Sequence, residues 1–553
     1  MPVDEPLPLM GLPGLTSRFI GIRAVVAGGG SELNCDRLPT RLHELTLAAA
    51  SGVLLALSFP KFGHPAFGWI ALAPLLLALM GRVSLMRAFT LGLTTGVIYF
   101  AGTLYWMTFV MAQYGDLSTP VAALINAAFV AYVALYPAIF ALIVRRLASS
   151  YGYAALAAAP FVWTATELGR AYLFSGFPWA LLGYSQATTV PIVQLASVIG
   201  IFGVSALVAS ASAALAGIVV AKAYRSAALV LAGTLLIAVW GNARVRAGEL
   251  TREGQLIRVG LVQGNVDQGQ KWSIASSAAI LQSYLAMTRQ AIDKGAQLVI
   301  WPESSTPFRF EEDLAGAAQL RALARATGVP ILFGSDQIDW QLRGTSRVPG
   351  RAFNSAFLVR ADGSTGGVYR KMHLVPWGEY VPLKDLLFFV GPLVEAIGAG
   401  FAAGTEATLL PVGGRPVSVA ICYEIIFPDL VRRFVLEGSE LLTTITNDAW
   451  FGKTSAPYQH FEQASVRAIE EGRYLVRSAN TGISGIVDPY GRVLQRSEIF
   501  QPAVLVGETR LLTDVTIYQR IGDAFAYASA IVAIALLVMA RRRRPAEAGR
   551  YTR

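Results

Sequence analysis

Three residues in this chain have the types that acyl chemistry needs, and each stands where a strand should end. Glu303 closes Val299-Ile300-Trp301-Pro302-Glu303, and Lys371 lies in Val368-Tyr369-Arg370-Lys371-Met372-His373. Cys422 ends the β-type run Val417-Ser418-Val419-Ala420-Ile421-Cys422, just before Tyr423 and Glu424. A thiol attacks an acyl carbon only as its thiolate, so a neighbour must take or hold the proton. Glu303, preceded by Trp301 and Pro302, is the expected base. Lys371 brings positive charge, which favours the thiolate and stabilises the oxyanion of a tetrahedral intermediate. The expected product is a thioester on Cys422, which water or an amine can then attack.

Each residue also has an ordinary reading. A cysteine after a strand is commonly a small core residue, and a Glu or Lys at a strand end is commonly a solvated surface charge. His373, near Lys371, and His460 are alternative bases for a Cys-His pair. The chain has four histidines without metal-ligand spacing, so no metal site is expected and no cofactor is called for. Its two cysteines, Cys35 and Cys422, form no disulfide framework.

The elements that must position these groups lie between residues 250 and 515, where composition is that of a globular domain. Leu256 to Gln263 reads as a strand, 275–294 as a helix, 297–301 as a strand and 312–327 as a helix. Strands are expected at 330–335, 354–359 and 367–369. After the strand at 417–422 come a helix at 428–437, a strand at 440–446, a helix at 457–472, and strands at 475–478 and 485–488. Strands separated by helices indicate an α/β sheet covered by helices, with active groups at strand ends.

The rest of the chain obeys another regime. Of 553 residues 54% are hydrophobic and 15% charged, too apolar for an ordinary soluble enzyme. Residues 1–42 are rich in Gly and Pro and read as a flexible N-terminal extension without the order of a signal peptide. Apolar runs long enough to cross a bilayer are expected at 43–59, 66–80, 88–112, 120–144, 154–174, 190–220, 226–242 and 523–540. The net charge of +10 is scattered at the ends of these runs and in Arg541-Arg542-Arg543-Arg544, which argues for membrane orientation and against nucleic acid. Arg37 and Arg41, Arg82 and Arg87, Arg145 and Arg146, Lys222 and Arg225, and the Arg tetrad mark alternate loops. Both termini, including the basic tail 541–553, are therefore expected in the cytoplasm, with the 250–515 domain on the opposite face. Glu167 and Arg170 lie in the fifth span, where they either hold a polar head group or pair with each other at i, i+3. Tyr105-Trp106 and Trp179 read as interfacial anchors.

Trp301-Pro302-Glu303, the run from Arg370 to Pro382 and Ile421-Cys422-Tyr423-Glu424 resemble the carbon-nitrogen hydrolase (nitrilase) superfamily with its Glu-Lys-Cys triad. Val262-Gln263-Gly264-Asn265 with Lys271-Trp272, and Thr446-Asn447-Asp448-Ala449-Trp450-Phe451-Gly452, match further segments. With seven spans before the domain and one after, the chain is similar to the membrane-bound apolipoprotein N-acyltransferases of that superfamily. The resemblance implies about eight transmembrane helices (43–243 and 523–540) plus an α-β-β-α sandwich at 250–515, in the inner membrane with the catalytic domain periplasmic. It implies Glu303 as base, Lys371 as oxyanion-stabilising cation and Cys422 as nucleophile, with Trp272, Glu379, Tyr423 and Glu424 in support. Cys422 would take an acyl chain from a phospholipid and pass it to the N-terminal amine of a diacylglyceryl apolipoprotein. A single chain holds the whole site, so a monomer is expected. The apolar insert Leu386 to Leu393 is read as a lid or lipid-dipping segment, or else a core helix. A membrane-tethered amidase that passes the acyl group to water and a non-enzymatic transporter or scaffold are the competing functions.

Overall fold

Runs of Ala, Leu, Val and Ile before residue 250 fold as helices, because a chain in lipid must satisfy its backbone internally. In the computed structural model the described residues are 41–542, apart from 62, 116, 270, 272, 273, 344, 345 and 381–399. The helices are α1 (Arg41–Ala56), α2 (Pro65–Ile70), α3 (Ala73–Met80), α4 (Leu85–Leu104), α5 (Trp106–Tyr114), α6 (Thr119–Tyr151), α7 (Ala159–Tyr172), α8 (Val190–Val193), α9 (Ala196–Ala221) and α10 (Tyr224–Ala247). Ser84 caps α4, its hydroxyl accepting the Arg87 N–H at 3.2 Å. Gly92 and Gly96 let α4 lie against the backbone of α6, since a Cβ at either would meet Pro137, Ala138 or Ala134 within 3 Å.

Five segments are both long and apolar enough to span a bilayer: Leu85–Leu104, Thr119–Ser175, Ala196–Ala221, Tyr224–Thr251 and Ala524–Arg542. The remaining runs among the eight expected from sequence are helical as well, but shorter or joined to a neighbour. The first two are shorter apolar helices, Leu42–Ala56 and Pro65–Met80, and the second is interrupted between Ile70 and Ala73. The fourth and fifth share one helical stretch of 57 residues, in which Gly152–Ala158 joins α6 to α7 as 3-10 helix.

From residue 255 the pattern becomes strand and helix. Strands β1 (Gln255–Gln263), β2 (Leu298–Ile300), β3 (Ile331–Arg343), β4 (Ser346–Val359), β5 (Thr365–Arg370) and β12 (Ala503–Leu511) form one six-stranded sheet, in the order β12-β1-β2-β3-β4-β5. Strands β6 (Leu410–Val412), β7 (Arg415–Ile421), β8 (Leu441–Thr446), β9 (Leu475–Ala479), β10 (Gly485–Val487) and β11 (Val493–Arg496) form the second, in the order β11-β10-β9-β8-β7-β6. Each sheet has three parallel central strands, β1-β2-β3 and β7-β8-β9, linked by helices: α11 (Ile274–Asp293) and α12 (Leu314–Thr327) in the first, α13 (Pro428–Leu436) and α14 (Ala456–Glu471) in the second. The chain closes with α15 (Ile517–Ile521) and α16 (Ala524–Arg542).

The sheets pack face to face. Ser478 Oγ on β9 donates to the carbonyls of Val262 (3.0 Å) and Ile300 (3.2 Å) on the other sheet. The outer face of the first sheet buries Val299, Trp301, Phe333 and Phe357 against Leu281, Tyr284 and Leu320 of α11 and α12. On the outer side of the second sheet lies α14, with 14 of its 16 residues buried. Its other flank meets the membrane helices: Glu470 accepts the Ile201 N–H at 2.8 Å, and Arg467 Nη2 donates to Tyr184 Oη at 2.7 Å. The result is an α-β-β-α sandwich whose last layer lies on the apolar bundle. β4 runs antiparallel to both β3 and β5, so β2, β3 and β5 all end on one edge.

Candidate active site

Lys371 follows β5, Glu303 follows β2 by three residues and Cys422 follows β7, so the fold brings the three expected residues to one edge. Lys371 is 1% exposed and its Nζ lies 2.9 Å from Glu379 Oε1 and 3.5 Å from Glu303 Oε1. Burial works against the ammonium, but Glu379, Glu303 and the neighbouring Cys422 outweigh it and raise the Lys371 pKa, leaving a fixed cation. Burial pushes the Cys422 thiol up, Glu303 adds to this and Lys371 opposes it, so the sulfur rests as a neutral thiol.

Three donors converge on the Glu303 carboxylate. Asn354 Nδ2 (2.7 Å) and Lys371 reach Oε1, and the Asn447 N–H reaches Oε2 at 2.9 Å. Asn354 also donates to Glu379 Oε1 at 2.9 Å, which ties both carboxylates together. Glu379 Oε2 accepts the Val375 N–H at 2.8 Å, fixing the turn that carries it. Nearby, Lys271 Nζ touches the Glu303 carbonyl at 3.4 Å, and burial, resisted by Glu303 and Asp336, depresses its pKa to about 8.

Cys422 has φ +52°, a left-handed conformation costly for a residue with a Cβ. Two ties hold it there. Glu424 Oε2 accepts the Ile421 N–H at 2.7 Å, and His460 Nε2 lies 3.1 Å from the Cys422 carbonyl. Glu424 Oε1 meanwhile accepts from Tyr369 Oη (2.7 Å), Met372 N (2.7 Å) and His373 N (3.0 Å). One fully buried carboxylate thus locks the strand end bearing Lys371 to the strand end bearing Cys422. Burial raises its pKa to about 7, against the pull of these donors.

His460 is not free to act as a base. Its Nδ1 lies 2.9 Å from Arg477 Nη2 and 3.2 Å from Asp448 Oδ1, Arg477 Nη2 also donates to Asp448 Oδ2 at 2.8 Å, and Nε2–H donates to the Cys422 carbonyl, so both ring nitrogens are engaged. His373 is stacked on Phe427 at 3.7 Å, and burial together with Lys371 lowers its pKa to about 4. Tyr423 packs edge-on against Phe427 at 5.0 Å, an apolar role among the described contacts. Trp272 and the insert Leu386 to Leu393 lie outside the described residues.

Asn354 and Arg477 are parts of the site that no sequence motif points to, and His460, with Asp448 beside it, holds the nucleophile's backbone rather than serving as its base. An asparagine in the middle of β4 and an arginine inside the apolar run Leu475–Ala479 were the available signals, since neither type favours a buried strand.

The membrane helices reach this site through an aromatic ledge. Trp179, expected as an interfacial anchor, is instead 1% exposed: its Nε1 donates to Gln459 Oε1 at 2.7 Å, and its ring lies 5.5 Å from His460 and 5.1 Å from Trp106. Phe451 packs on Trp106 at 5.0 Å, and Tyr114 Oη donates to the Ala449 carbonyl at 3.1 Å. Arg170 and Glu167 do not pair. Arg170 donates to the carbonyls of Phe177 (2.8 Å) and Trp179 (2.6 Å), and Glu167 Oε1 accepts the Leu182 N–H at 2.6 Å, so both hold the loop that presents Trp179. Trp106 is likewise buried, and the half-exposed Tyr105 accepts the Ser455 N–H at 3.1 Å.

A paired-sheet domain with a thiol, a carboxylate and an ammonium at adjoining strand ends defines the class of a carbon-nitrogen hydrolase, and the family model of that description matches residues 258–512. The model for the apolipoprotein N-acyltransferase N-terminal domain matches residues 51–214. The apolipoprotein N-acyltransferase of Geobacter metallireducens is 41% identical over 518 residues, covering 92% of this chain and 97% of the relative. That of Methylococcus capsulatus is 37% identical over 517 residues, with 91% and 97% covered. The chain belongs to the apolipoprotein N-acyltransferase family and is an N-acyltransferase. Among solved structures, an amidase from Nesterenkonia sp. aligns with 50% of this chain and 97% of its own at 22% identity and a TM-score of 0.37.

Proposed function

We propose that Cys422 carries the acyl chain as a thioester between a membrane phospholipid and the N-terminal amine of a diacylglyceryl apolipoprotein. In the first half-reaction Glu303 takes the thiol proton while sulfur attacks the ester carbonyl, and Lys371 faces the oxyanion. The C–O bond then breaks, Glu303 returns the proton to the departing alkoxide, and a lysophospholipid leaves. In the second, the amine attacks the thioester carbon, Glu303 accepts a proton from it, and the C–S bond breaks as Glu303 hands that proton to the departing sulfur, restoring the thiol. Asn354 and Glu379 position Glu303 and Lys371, and Glu424 positions the two strand ends. Trp272 and Tyr423 complete the supporting set.

The observation that carries this reading is the seating of Cys422. A thiol able to work on free amides in water has no need of a membrane layer, whereas here the nucleophile's carbonyl is held by a histidine packed on Trp179, a residue of the bundle. Both substrates are anchored in lipid, so the site must stand at the membrane surface. We extend the proposal to about eight spans, with α1, α2–α3 and α7 crossing beside the five longer segments. The domain boundaries are 1–42, 43–243, 250–515, 523–540 and 541–553, with both termini cytoplasmic, the 250–515 domain periplasmic and a single chain sufficient for activity. Mass spectrometry of Cys422 after incubation with phospholipid alone tests the chemistry. An acyl adduct that disappears as amide forms on a diacylglyceryl peptide is expected; release only as free fatty acid would overturn transfer.

A further inference from the structure

Away from the triad, a cavity of about 500 Å³ opens where α13 meets the head of α16. Its lining combines Arg432 and Asp429 of α13, Tyr518 of α15, Asp523 just before α16, and Tyr172 at the end of α7. Among the described residues no ion pair joins Arg432 to Asp429 or Asp523, although all three line one space. Arg432 donates from Nε to the Gln519 carbonyl (2.8 Å) and from Nη2 to the Arg520 carbonyl (3.3 Å), leaving Nη1 without a hydrogen bond among the described residues. Asp523 is 7% exposed and held by Tyr172 Oη (2.6 Å) and Tyr518 Oη (3.1 Å), and it repels the carboxylate of Asp429.

Asp523 feels both the Asp429 carboxylate and the Arg432 guanidinium, so the space carries both signs without closing them into an ion pair, and it complements a ligand that carries both as well. The opposite wall is apolar. Tyr527 and Ile531 line the cavity, and with Ile534 and Val538 they make an exposed stripe at i, i+4, i+7 and i+11 along the membrane helix α16. A charged mouth at the first residue of a spanning helix, continued by an apolar track, has the order of a phospholipid: head group, then chain.

We propose that this cavity binds the head group of a zwitterionic phospholipid, its ammonium facing Asp429 and Asp523 and its phosphate facing Arg432, at a site separate from the reacting thiol. The inference rests on the chain being embedded in a membrane and not on acyl transfer, so its test uses a chain that cannot turn over lipid. Native mass spectrometry of the full-length Cys422→Ala protein counts lipids retained from micelles containing dioleoyl phosphatidylethanolamine or dioleoyl phosphatidylglycerol. Any donor held at the reaction site contributes equally to every variant. Arg432→Gln and, on the exposed face of α13, Asp429→Asn are each expected to retain one phosphatidylethanolamine fewer per chain, with affinity lowered about tenfold. Phosphatidylglycerol, which lacks the ammonium, is expected to leave the cavity empty. Equal retention of the two lipids, or undiminished retention in both variants with normal melting temperatures, would overturn the assignment.

Discussion

Replacing His460 tests how the nucleophile is held. Its Nε2–H meets the Cys422 carbonyl at 3.1 Å, one of two ties that keep a non-glycine residue at φ +52°. Left-handed backbone costs a residue with a Cβ about 1–3 kcal/mol unless its surroundings enforce it. A buried carbonyl that loses its donor forfeits a comparable about 1–3 kcal/mol. In His460→Ala the tie through Glu424 remains, and the Asp448-Arg477 pair at 2.8 Å keeps its own contact. The balance then shifts by about 1–2 kcal/mol towards conformers that turn the sulfur away, a population loss of about 5- to 30-fold. The single-turnover rate of Cys422 acylation should fall by that factor, with the half-saturating donor concentration unchanged. His460→Gln offers an amide N–H at similar reach and should recover most of the rate, with the pH profile of acylation unaltered. If His460→Gln instead removes a limb of that profile or loses activity as completely as Cys422→Ala, His460 is a base and the positioning argument fails. An alanine variant within twofold of the parent rate would show the tie to be idle.

Cys422→Ala should abolish the acyl adduct while leaving the melting temperature near that of the parent, because a small buried side chain is exchanged for another; circular dichroism and intact-mass measurement check both. Glu379→Ala strips the buried Lys371 ammonium of its 2.9 Å partner and should cost about 3–5 kcal/mol in denaturant unfolding, whereas Glu379→Gln, which keeps an acceptor, should cost less. His373 has its pKa lowered to about 4 from an ordinary 6.5, so the unfolded chain binds more protons between those values. Its contribution to stability is therefore fully present above pH 6.5 and lost as pH falls towards 4, and melting curves of His373→Phe should lack that part of the acid loss. Trp179→Ala removes a buried ring and its hydrogen bond to Gln459 and should destabilise the protein by about 3–5 kcal/mol, read as earlier thermal release of the domain from the bundle.

Much of the catalytic edge was legible in the sequence because short β-type runs ending in polar residues carry their own address. The strands before Glu303, Lys371 and Cys422 all appear where the runs place them, and α11 to α14 fall within two residues of the expected bounds. The expected strands at 330–335 and 354–359 prove to be the bases of a longer hairpin, β3–β4 (Ile331–Val359), whose outer part is polar and gives no burial pattern. β12 was also unread: Ala503–Leu511 is half-buried and gains its place only by pairing with β1, 240 or more residues earlier. Hydropathy marks apolar length and not where a helix turns, so the sequence separates runs at 120–144 and 154–174 that the structure joins as one helical stretch, Thr119–Ser175. For Arg170 and Glu167 the sequence points to a mutual pair or a head-group site, since i, i+3 spacing places both on one helix face. The loop that each actually grips lies up to fifteen residues downstream, a tertiary relation that helical spacing does not reveal.

The burial of α14 on both flanks has a practical outcome for anyone who would trim this enzyme. Phe461 turns inward to β10 at Gly485, while Arg467 and Glu470 pair with each other and turn outward to Tyr184 and the Ile201 N–H, none of them wetted. Excising residues 250–515 would strand that ion pair and the Phe451 ring, which packs on Trp106 and Trp179, together in water. Such a fragment should precipitate or recruit detergent, and so the anchor cannot be shed to yield a secreted catalyst: each half finishes the other's interior.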